Sequence, residues 1–301
     1  MTATGGVDGQ VMAGEGRLVA YANFVKVAHT VFSLPFAFVG VAAASRIQPV
    51  TVRILLLVVA AFGAARFAAM GFNRIADRRL DELNPRTAGR ELPAGRMSLA
   101  EAWVLVVAMS ALFVLAAALL NPLCFALAPV ALVWVTSYSY AKRFTALSHL
   151  WLGVGMAISP VGGYLAVTGA WSSPWWVILL LALVVTCWGG GFDVLYSLQD
   201  ERFDREHGLK SLTLALGPER AIAAARSLHA VAGVALVAFG LAAGFHAWYF
   251  GGVILALGLL VWEHRLVHPN DYSRLDAAFF SMNGIISAAV AAGAVLDALL
   301  R

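Results

Sequence analysis

Residues 71–96 read GFNRIADRRLDELNPRTAGRELPAGR and follow directly on a long apolar run. Asn73, Asp77 and Asp81 stand four residues apart, so in a helix they share one face over about two turns. The residue before a proline avoids the helical conformation, which predicts that this helix ends at the Asn84–Pro85 pair. An amide and two carboxylates at the end of a membrane helix are costly unless they bind something. Oxygen ligands of this kind suit Mg²⁺, and Mg²⁺ suits phosphate.

A second stretch, residues 191–211, has the same character and reads GFDVLYSLQDERFDREHGLKS. It also closes an apolar run and leads into a polar loop. Asp193, Tyr196, Asp200 and Asp204 fall at offsets of three, seven and eleven residues, which predicts a single helical face. We call the two sets the first and the second acidic ladder. Their corresponding positions in two halves of the chain indicate one shared site.

The composition predicts an all-α integral membrane protein. Of the 301 residues, 61% are apolar and 13% are charged, whereas a soluble domain carries about 25% charge. The net charge of +4 does not indicate nucleic-acid binding, because the positive residues lie in loops beside apolar runs. Cys124 and Cys187 lie inside apolar runs, so we expect free thiols.

We expect about nine transmembrane helices in a single domain, residues 17–301, after a Gly-rich and disordered tail of residues 1–16. Helical spans of about 20 apolar residues are the length that crosses a bilayer. The predicted spans are 21–44, 53–73, 99–119, 122–141, 148–168, 175–199, 221–243, 245–263 and 277–299.

Positive charge predicts the orientation of the bundle. Lys and Arg concentrate in the connections after the second, fourth, sixth and eighth spans, together with Arg17, whereas the other side has Arg46, Arg53 and Arg301. The positive-inside rule then places both ladders at the cytoplasmic face of a bacterial inner membrane and the carboxyl terminus outside. Such a one-sided site is less natural for a transporter, which must open to both faces.

Three basic residues fall inside predicted spans, where an arginine costs about 2.5–3.5 kcal/mol on insertion scales. Lys26 and Arg226 are close enough to span ends for their charges to reach the interface. Arg66 lies two turns deeper than Asn73 on nearly the same face. It either meets an anionic group of a substrate or pairs with a buried acid.

Tyr138 and Lys142 lie one helical turn apart at the end of the fourth span. A phenol and an ammonium group can hold a phosphate there, although aromatic and basic residues are also common at span ends. The two acidic ladders favour the functional interpretation.

Residues 201–217 are expected to cover the site, with Arg202, Arg205 and Lys210 facing phosphate. The scattered histidines lack metal-ligand spacing and are interpreted as structural: His149, His229, His246, His264 and His268.

The chain resembles the UbiA superfamily of membrane prenyltransferases over essentially its whole length after about residue 20. The resemblance rests on Asn73-x-x-x-Asp77-x-x-x-Asp81 with Asn84-Pro85-Arg86-Thr87-Ala88 after it, on Tyr138-Ser139-Tyr140-Ala141-Lys142-Arg143-Phe144, and on Asp193-x-x-Tyr196-x-x-x-Asp200-x-x-x-Asp204 followed by Gly208-Leu209-Lys210-Ser211. Arg74 stands where the family usually has Asp. That form is similar to a bacterial subgroup labelled 4-hydroxybenzoate polyprenyltransferase-like and associated with menaquinone made by the futalosine route.

The resemblance implies a UbiA-type helical bundle that transfers a polyprenyl group from its diphosphate to an aromatic ring in respiratory quinone biosynthesis. The implied acceptor is 4-hydroxybenzoate for ubiquinone or 1,4-dihydroxy-6-naphthoate for menaquinone. The implied Mg²⁺ ligands are Asn73, Asp77, Asp81, Asp200 and Asp204. The implied catalytic residues are Asp193, Lys142, Tyr138 and Arg66, with Arg66 as the candidate for the acceptor carboxylate. The implied substrate-binding residues are Arg74, Arg86, Arg90, Tyr196 and Lys210.

Two other classes remain open at this point. A transporter would use the carboxylates as an ion path, but transporter sites lie near the membrane midplane and these acids cluster at one face. A CDP-alcohol phosphotransferase also uses membrane carboxylates, but its Asp-Gly and Ala-Arg elements are absent. Mg²⁺-dependent release of diphosphate separates an enzyme from a transporter, and dependence on the acceptor separates the enzymes, including superfamily members with another acceptor.

Overall fold

The computed structural model describes residues 16–25, 30–267 and 282–300. Within these ranges the backbone forms helices and no strand, as the composition predicts. Some predictions fall on residues outside these ranges. They are the disordered tail up to residue 15, the roles of Lys26 and Arg301, and the start of the last span at 277.

The helices are numbered in chain order. They are α1 (Arg17–Phe24), α2 (Thr30–Ala44), α3 (Val52–Leu83), α4 (Leu99–Leu120), α5 (Pro122–Phe144), α6 (Ser148–Thr168), α7 (Val177–Ser197), α8 (Glu201–Glu206), α9 (Leu212–Leu216), α10 (Pro218–Ala242), α11 (Ala247–Leu266) and α12 (Asn283–Leu299). A short 3₁₀ turn, Leu198–Asp200, joins α7 to α8.

Seven helical segments in the described ranges are long and apolar enough to cross a membrane: α3, α4, α5, α6, α7 with its extension to Glu206, α10 and α11. Two shorter apolar segments, Ser33–Ala44 and Asn283–Leu299, match the first and last predicted spans. The multi-pass helical class is therefore confirmed, while the count of nine spans stays a prediction. The helix of the second predicted span continues to Leu83 as α3 and carries the whole first ladder, as predicted from the Asn84–Pro85 pair.

Local sequence explains where α3 stops and α4 starts. Asn84 adopts an extended conformation (φ −89°, ψ 116°) directly before the proline, as predicted. Its side-chain oxygen accepts a hydrogen bond from the Arg86 N–H at 3.0 Å, which turns the chain back over the helix end. Ser98 and Glu101 then form a capping box that starts α4.

The main hydrophobic core lies among α2, α6, α7, α10, α11 and α12, while α3, α4 and α5 pack alongside. Glycines in α6 allow the neighbouring helices to approach its backbone closely. A side chain at Gly163 would collide with the backbone carbonyl of Ala37 in α2, and one at Gly153 with the carbonyl of Thr186 in α7. These glycines therefore let α6 pack closely against α2 and α7.

Two neighbouring glycines in α6 provide a matched test of this packing. Gly162 has open space where a Cβ would lie, whereas Gly163 faces the Ala37 backbone. We predict that Gly163→Ala lowers stability by about 1–3 kcal/mol, because the two helices must move apart. Gly162→Ala should leave stability unchanged or raise it by up to about 1 kcal/mol, since alanine is the better helix former. Thermal unfolding of both variants in one detergent checks this, and equal melting temperatures would contradict it.

Candidate active site

The two acidic ladders meet at the last turn of α5. Lys142 Nζ lies 3.2 Å from Asp204 Oδ2 of the second ladder and acts electrostatically on Asp77 of the first. Carboxylates of both ladders also act on the half-buried Tyr138, one turn earlier on α5. The structure therefore brings the ladders and the Tyr138–Lys142 pair into one cluster, the arrangement that their positions in the sequence indicate.

The first ladder lies along one face of α3, as its spacing predicts. Asn73 Nδ2 donates a hydrogen bond of 2.9 Å to Asp77 Oδ2, across one helical turn. Asp77 Oδ1 lies 3.2 Å from the Arg143 guanidinium of α5. Asp81 is buried and its Oδ1 lies 2.6 Å from Arg90, while its Oδ2 is buried without a hydrogen-bond partner in the described residues.

The acids of the second ladder face one site, as their spacing predicts, but the ladder does not lie on one regular α-helix. The 3₁₀ turn at Leu198–Asp200 separates Asp193 on α7 from Asp204 on α8. A 3₁₀ turn has three residues per turn instead of 3.6, which changes the direction of the side chains that follow it. The acids nevertheless remain at one site, because tertiary contacts hold each of them.

The loop after α3 reaches across to the second ladder through Arg86. Both oxygens of Asp200 lie 2.8 Å from Arg86 NH2, and NH1 donates to the Tyr196 hydroxyl at 2.9 Å. The guanidinium also lies over the Tyr196 ring, 5.4 Å from its centre. Residues from two distant parts of the sequence thus form one contact, in which Arg86 pairs with a carboxylate that was expected to bind metal.

Several other basic residues that were predicted to contact substrate have partners within the protein. Arg74 is buried, only 2% exposed, and its Nε donates to the Phe24 carbonyl at 3.5 Å, so it lies between α3 and α1. Lys210 Nζ donates to the Phe144 carbonyl at 3.2 Å. Arg202 and Arg205 form exposed ion pairs with glutamates one turn away on α8. The structure thus gives the two arginines partners on their own helix, and their contact with phosphate stays a prediction.

Arg66 lies inside the membrane-spanning part of α3. Its Nε is buried without a hydrogen-bond partner, and no described carboxylate forms an ion pair with it. The predicted pairing with a buried acid is therefore not observed in the described ranges, whereas an anionic group of a substrate stays open as its partner. Arg226 is exposed near the start of α10, as the prediction that it reaches the interface requires.

Two site residues were missed. Arg143 pairs with Asp77 but looked like a flanking charge, and His149 looked like one of several scattered histidines. His149 is fully buried and its Nδ1 lies 2.7 Å from Asp193 Oδ2. It begins α6, whereas its partner lies on α7, so no spacing along the chain could have identified the pair.

The ladders fit a metal that is held together with a phosphate. Mg²⁺ in phosphate-binding sites takes one or two carboxylates and completes its shell with substrate oxygens and water. The unpartnered Oδ2 of Asp81 and the adjacent Asn73 and Asp77 are oxygen donors of that kind. Within the described ranges, no three His, Cys, Asp or Glu side chains form a group that could hold a metal by themselves. The donors therefore suit binding of a metal jointly with its diphosphate.

Comparison with known proteins identifies the same family that the sequence signatures resemble. Residues 33–285 match the model of the UbiA prenyltransferase family. The chain is 32% identical to the 4-hydroxybenzoate octaprenyltransferase of Nitrosospira multiformis over 82% of this chain and 84% of that protein. It is 30% identical to the enzyme of the same name from Aromatoleum aromaticum, over 76% and 78% of the two chains.

Solved structures show the same fold. A UbiA homolog from Aeropyrum pernix K1, solved in the apo state, superposes with a TM-score of 0.82 and 36% identity, over 89% of this chain and 98% of that one. A UbiA homolog from Archaeoglobus fulgidus bound to DMAPP and Mg²⁺ superposes with a TM-score of 0.73 and 19% identity, over 94% and 100%.

These relatives are enzymes, which overturns the transporter alternative. The family match covers most of the chain and spans the whole cluster formed by the two ladders, Tyr138 and Lys142. The chain is a multi-pass membrane prenyltransferase and belongs to the UbiA prenyltransferase family.

Proposed function

We propose that the protein transfers a polyprenyl group from its diphosphate to a ring carbon of 4-hydroxybenzoate, with Mg²⁺ as cofactor, at the cytoplasmic face of a bacterial inner membrane. The observation that carries the proposal is the convergence of two acidic ladders on Tyr138 and Lys142, with a basic side chain paired to each of four acids. The single-domain organisation of residues 17–301 is part of the same proposal.

A diphosphate fits this arrangement of alternating charges. Mg²⁺, when bound by oxygens of Asn73, Asp77, Asp81, Asp200 and Asp204, would neutralise the negative charge that develops on the leaving diphosphate. The basic groups that neutralise these acids are then available to phosphate oxygens: Arg86, Arg90, Lys142 and Arg143. Lys142 supplies a point charge, and the Tyr138 hydroxyl donates a hydrogen bond that strengthens as the leaving group becomes more negative.

The acceptor needs a partner for its carboxylate and one for its hydroxyl group. Arg66 offers a buried guanidinium with an unpartnered Nε, about 10 Å deeper than Asn73 along α3. Asp193 is held in the cluster and orients the phenol. In the transfer, the bond between the prenyl carbon and the diphosphate oxygen breaks and its electrons leave with the diphosphate. The ring carbon beside the phenol forms the new carbon–carbon bond and then loses its proton.

The curated relatives favour 4-hydroxybenzoate, the acceptor in their names, and hence ubiquinone biosynthesis. Neither of these names supports the dihydroxynaphthoate that the Arg74 form of the first signature suggested. The test is prenyl transfer by the purified protein in lipid vesicles, with Mg²⁺ and a long prenyl diphosphate. We expect prenylated 4-hydroxybenzoate, and no product when Mg²⁺ is removed by a chelator.

The same assay also tests alternative acceptors. Transfer to 1,4-dihydroxy-6-naphthoate, offered in parallel, with none to 4-hydroxybenzoate would replace the proposed acceptor and assign the protein to menaquinone. An unconsumed diphosphate with both acceptors would reject both and direct the search to another acceptor within the family.

The metal assignment predicts that Asp77→Asn and Asp204→Asn each lower turnover by roughly 100-fold or more, since each removes charge from one ladder. Glu206→Gln is the matched control, because Glu206 lies on α8 beside Asp204 but pairs with Arg202 at the exposed surface. The measurement is Mg²⁺-dependent product formation, with folding checked by thermal unfolding in detergent. Retained Mg²⁺-dependent activity in either variant would remove that aspartate from the metal role.

The acceptor assignment predicts that Arg66→Met raises the KM for 4-hydroxybenzoate by roughly 10-fold or more, because a hydrogen bond to a charged group contributes about 1.5–3 kcal/mol. The KM for the prenyl diphosphate should stay unchanged. An acceptor that lacks the carboxylate, such as phenol, is the internal control and should not distinguish the variant from the parent protein. An unchanged KM for 4-hydroxybenzoate would exclude Arg66 as the carboxylate partner.

A further inference from the structure

A short segment after α8 forms hydrogen bonds to α5, α6 and α7, the three helices around the site. We call Lys210–Thr213 the strap. The Lys210 N–H donates to the Lys142 carbonyl of α5 at 2.7 Å. The Leu212 N–H donates to His149 Nε2 of α6 at 3.4 Å, and the Thr213 hydroxyl lies 2.7 Å from the Ser197 hydroxyl of α7. The strap therefore joins α5, α6 and α7 directly beside the cluster.

His149 contacts both the strap and a carboxylate of the site through its side chain. Its ring is fully buried. Because Nε2 accepts the Leu212 N–H, Nδ1 carries the ring hydrogen and donates it to Asp193 Oδ2 at 2.7 Å. The Asp193 side chain itself is 15% exposed, so its carboxylate is fixed on one side and open on the other.

The two contacts use opposite corners of one rigid ring. The shorter contact fixes the rotation of the Asp193 carboxylate, and the longer contact fixes the position of the strap relative to it. No other contact among the described residues gives Asp193 a partner outside α7 at comparable distance.

We propose that His149 is a positioning residue that orients Asp193 toward the phenol of the acceptor and also holds the strap beside the site. The inference rests on the proposed function, since it gives Asp193 its acceptor. His149 itself touches neither substrate.

The two contacts are separable by substitution. The terminal nitrogen of asparagine occupies nearly the position of Nδ1, and the terminal amide of glutamine reaches nearly that of Nε2. His149→Asn thus retains the donor to Asp193 and loses the acceptor for Leu212. His149→Gln retains the acceptor for Leu212 and loses the donor to Asp193.

We expect His149→Gln to lower kcat for prenyl transfer by roughly 10- to 100-fold at saturating substrates, the loss typical of a misplaced group. Hydrogen exchange of the strap amides should stay close to that of the parent protein. His149→Asn should give the opposite result, with kcat within a few-fold of the parent and faster exchange at Leu212. Peptide-level hydrogen–deuterium exchange reports the strap without requiring turnover.

Thr213→Val is the matched control for the strap. Ser197 donates its own hydrogen to the Val194 carbonyl, so Thr213 is the donor in their contact, and valine removes that donor at nearly constant volume. This variant should speed exchange of the strap and leave the Asp193 contact in place, with kcat close to that of the parent.

The outcomes separate the two proposals. A parent protein that prenylates no offered acceptor would overturn the proposed function, and exchange of the strap would still test the contact to Leu212. An active parent whose asparagine and glutamine variants have equal kcat and equal exchange would overturn the positioning role of His149 and leave the proposed function intact.

Discussion

Carboxylates at the end of membrane helices depend on a positive partner from another part of the chain. Asp77 on α3 is paired with Arg143 on α5, and Asp204 on α8 with Lys142 on α5. Asp204 is buried, so removing Lys142 would leave its charge uncompensated, at a cost of about 3–5 kcal/mol. The Arg143–Asp77 pair is partly exposed to solvent and contributes less. These cross-helix pairs therefore fix how α3, α5 and α8 approach one another at the site end of the bundle.

The same pairs explain why one arrangement of charge suits both the folded enzyme and its substrate. A diphosphate with its metal has negative and positive groups of its own, so it can exchange partners with acids and bases that already lie next to each other. The basic side chains that neutralise the acids are therefore the ones that can bind the phosphate oxygens. A helical bundle with an apolar core can hold such a cluster only at its end, where loops such as the one with Arg86 fold over it.

The connection after α8 is as much a part of the site as the helices. The backbone of Lys210 bonds to α5, that of Leu212 to α6, and the side chain of Thr213 to α7. The contact between Thr213 and Ser197 satisfies hydroxyl groups that would otherwise be buried without a partner. They also place His149, which belongs to no signature of the sequence, at the centre of the arrangement.

Local patterns determined much of this protein. Composition determined the helical membrane class, four-residue spacing placed Asn73 and Asp77 on one face of α3, and the Asn84–Pro85 pair ended that helix. Such features depend on helical period and on the backbone restrictions of proline, which act within a few residues. The corresponding positions of the two ladders also indicated one shared site.

Only the tertiary structure decided which base pairs with which acid. Arg86 reaches Asp200 across 114 positions of sequence, and His149 reaches Asp193 from a different helix. Arg74, one residue from the first ladder, is buried against α1. These outcomes depend on how helices cross and how loops return over them, as at Gly163 against α2, and on a 3₁₀ turn that the spacing of the second ladder did not reveal. A periodic pattern specifies the face on which a side chain lies, whereas its partner is set by which helix packs against that face.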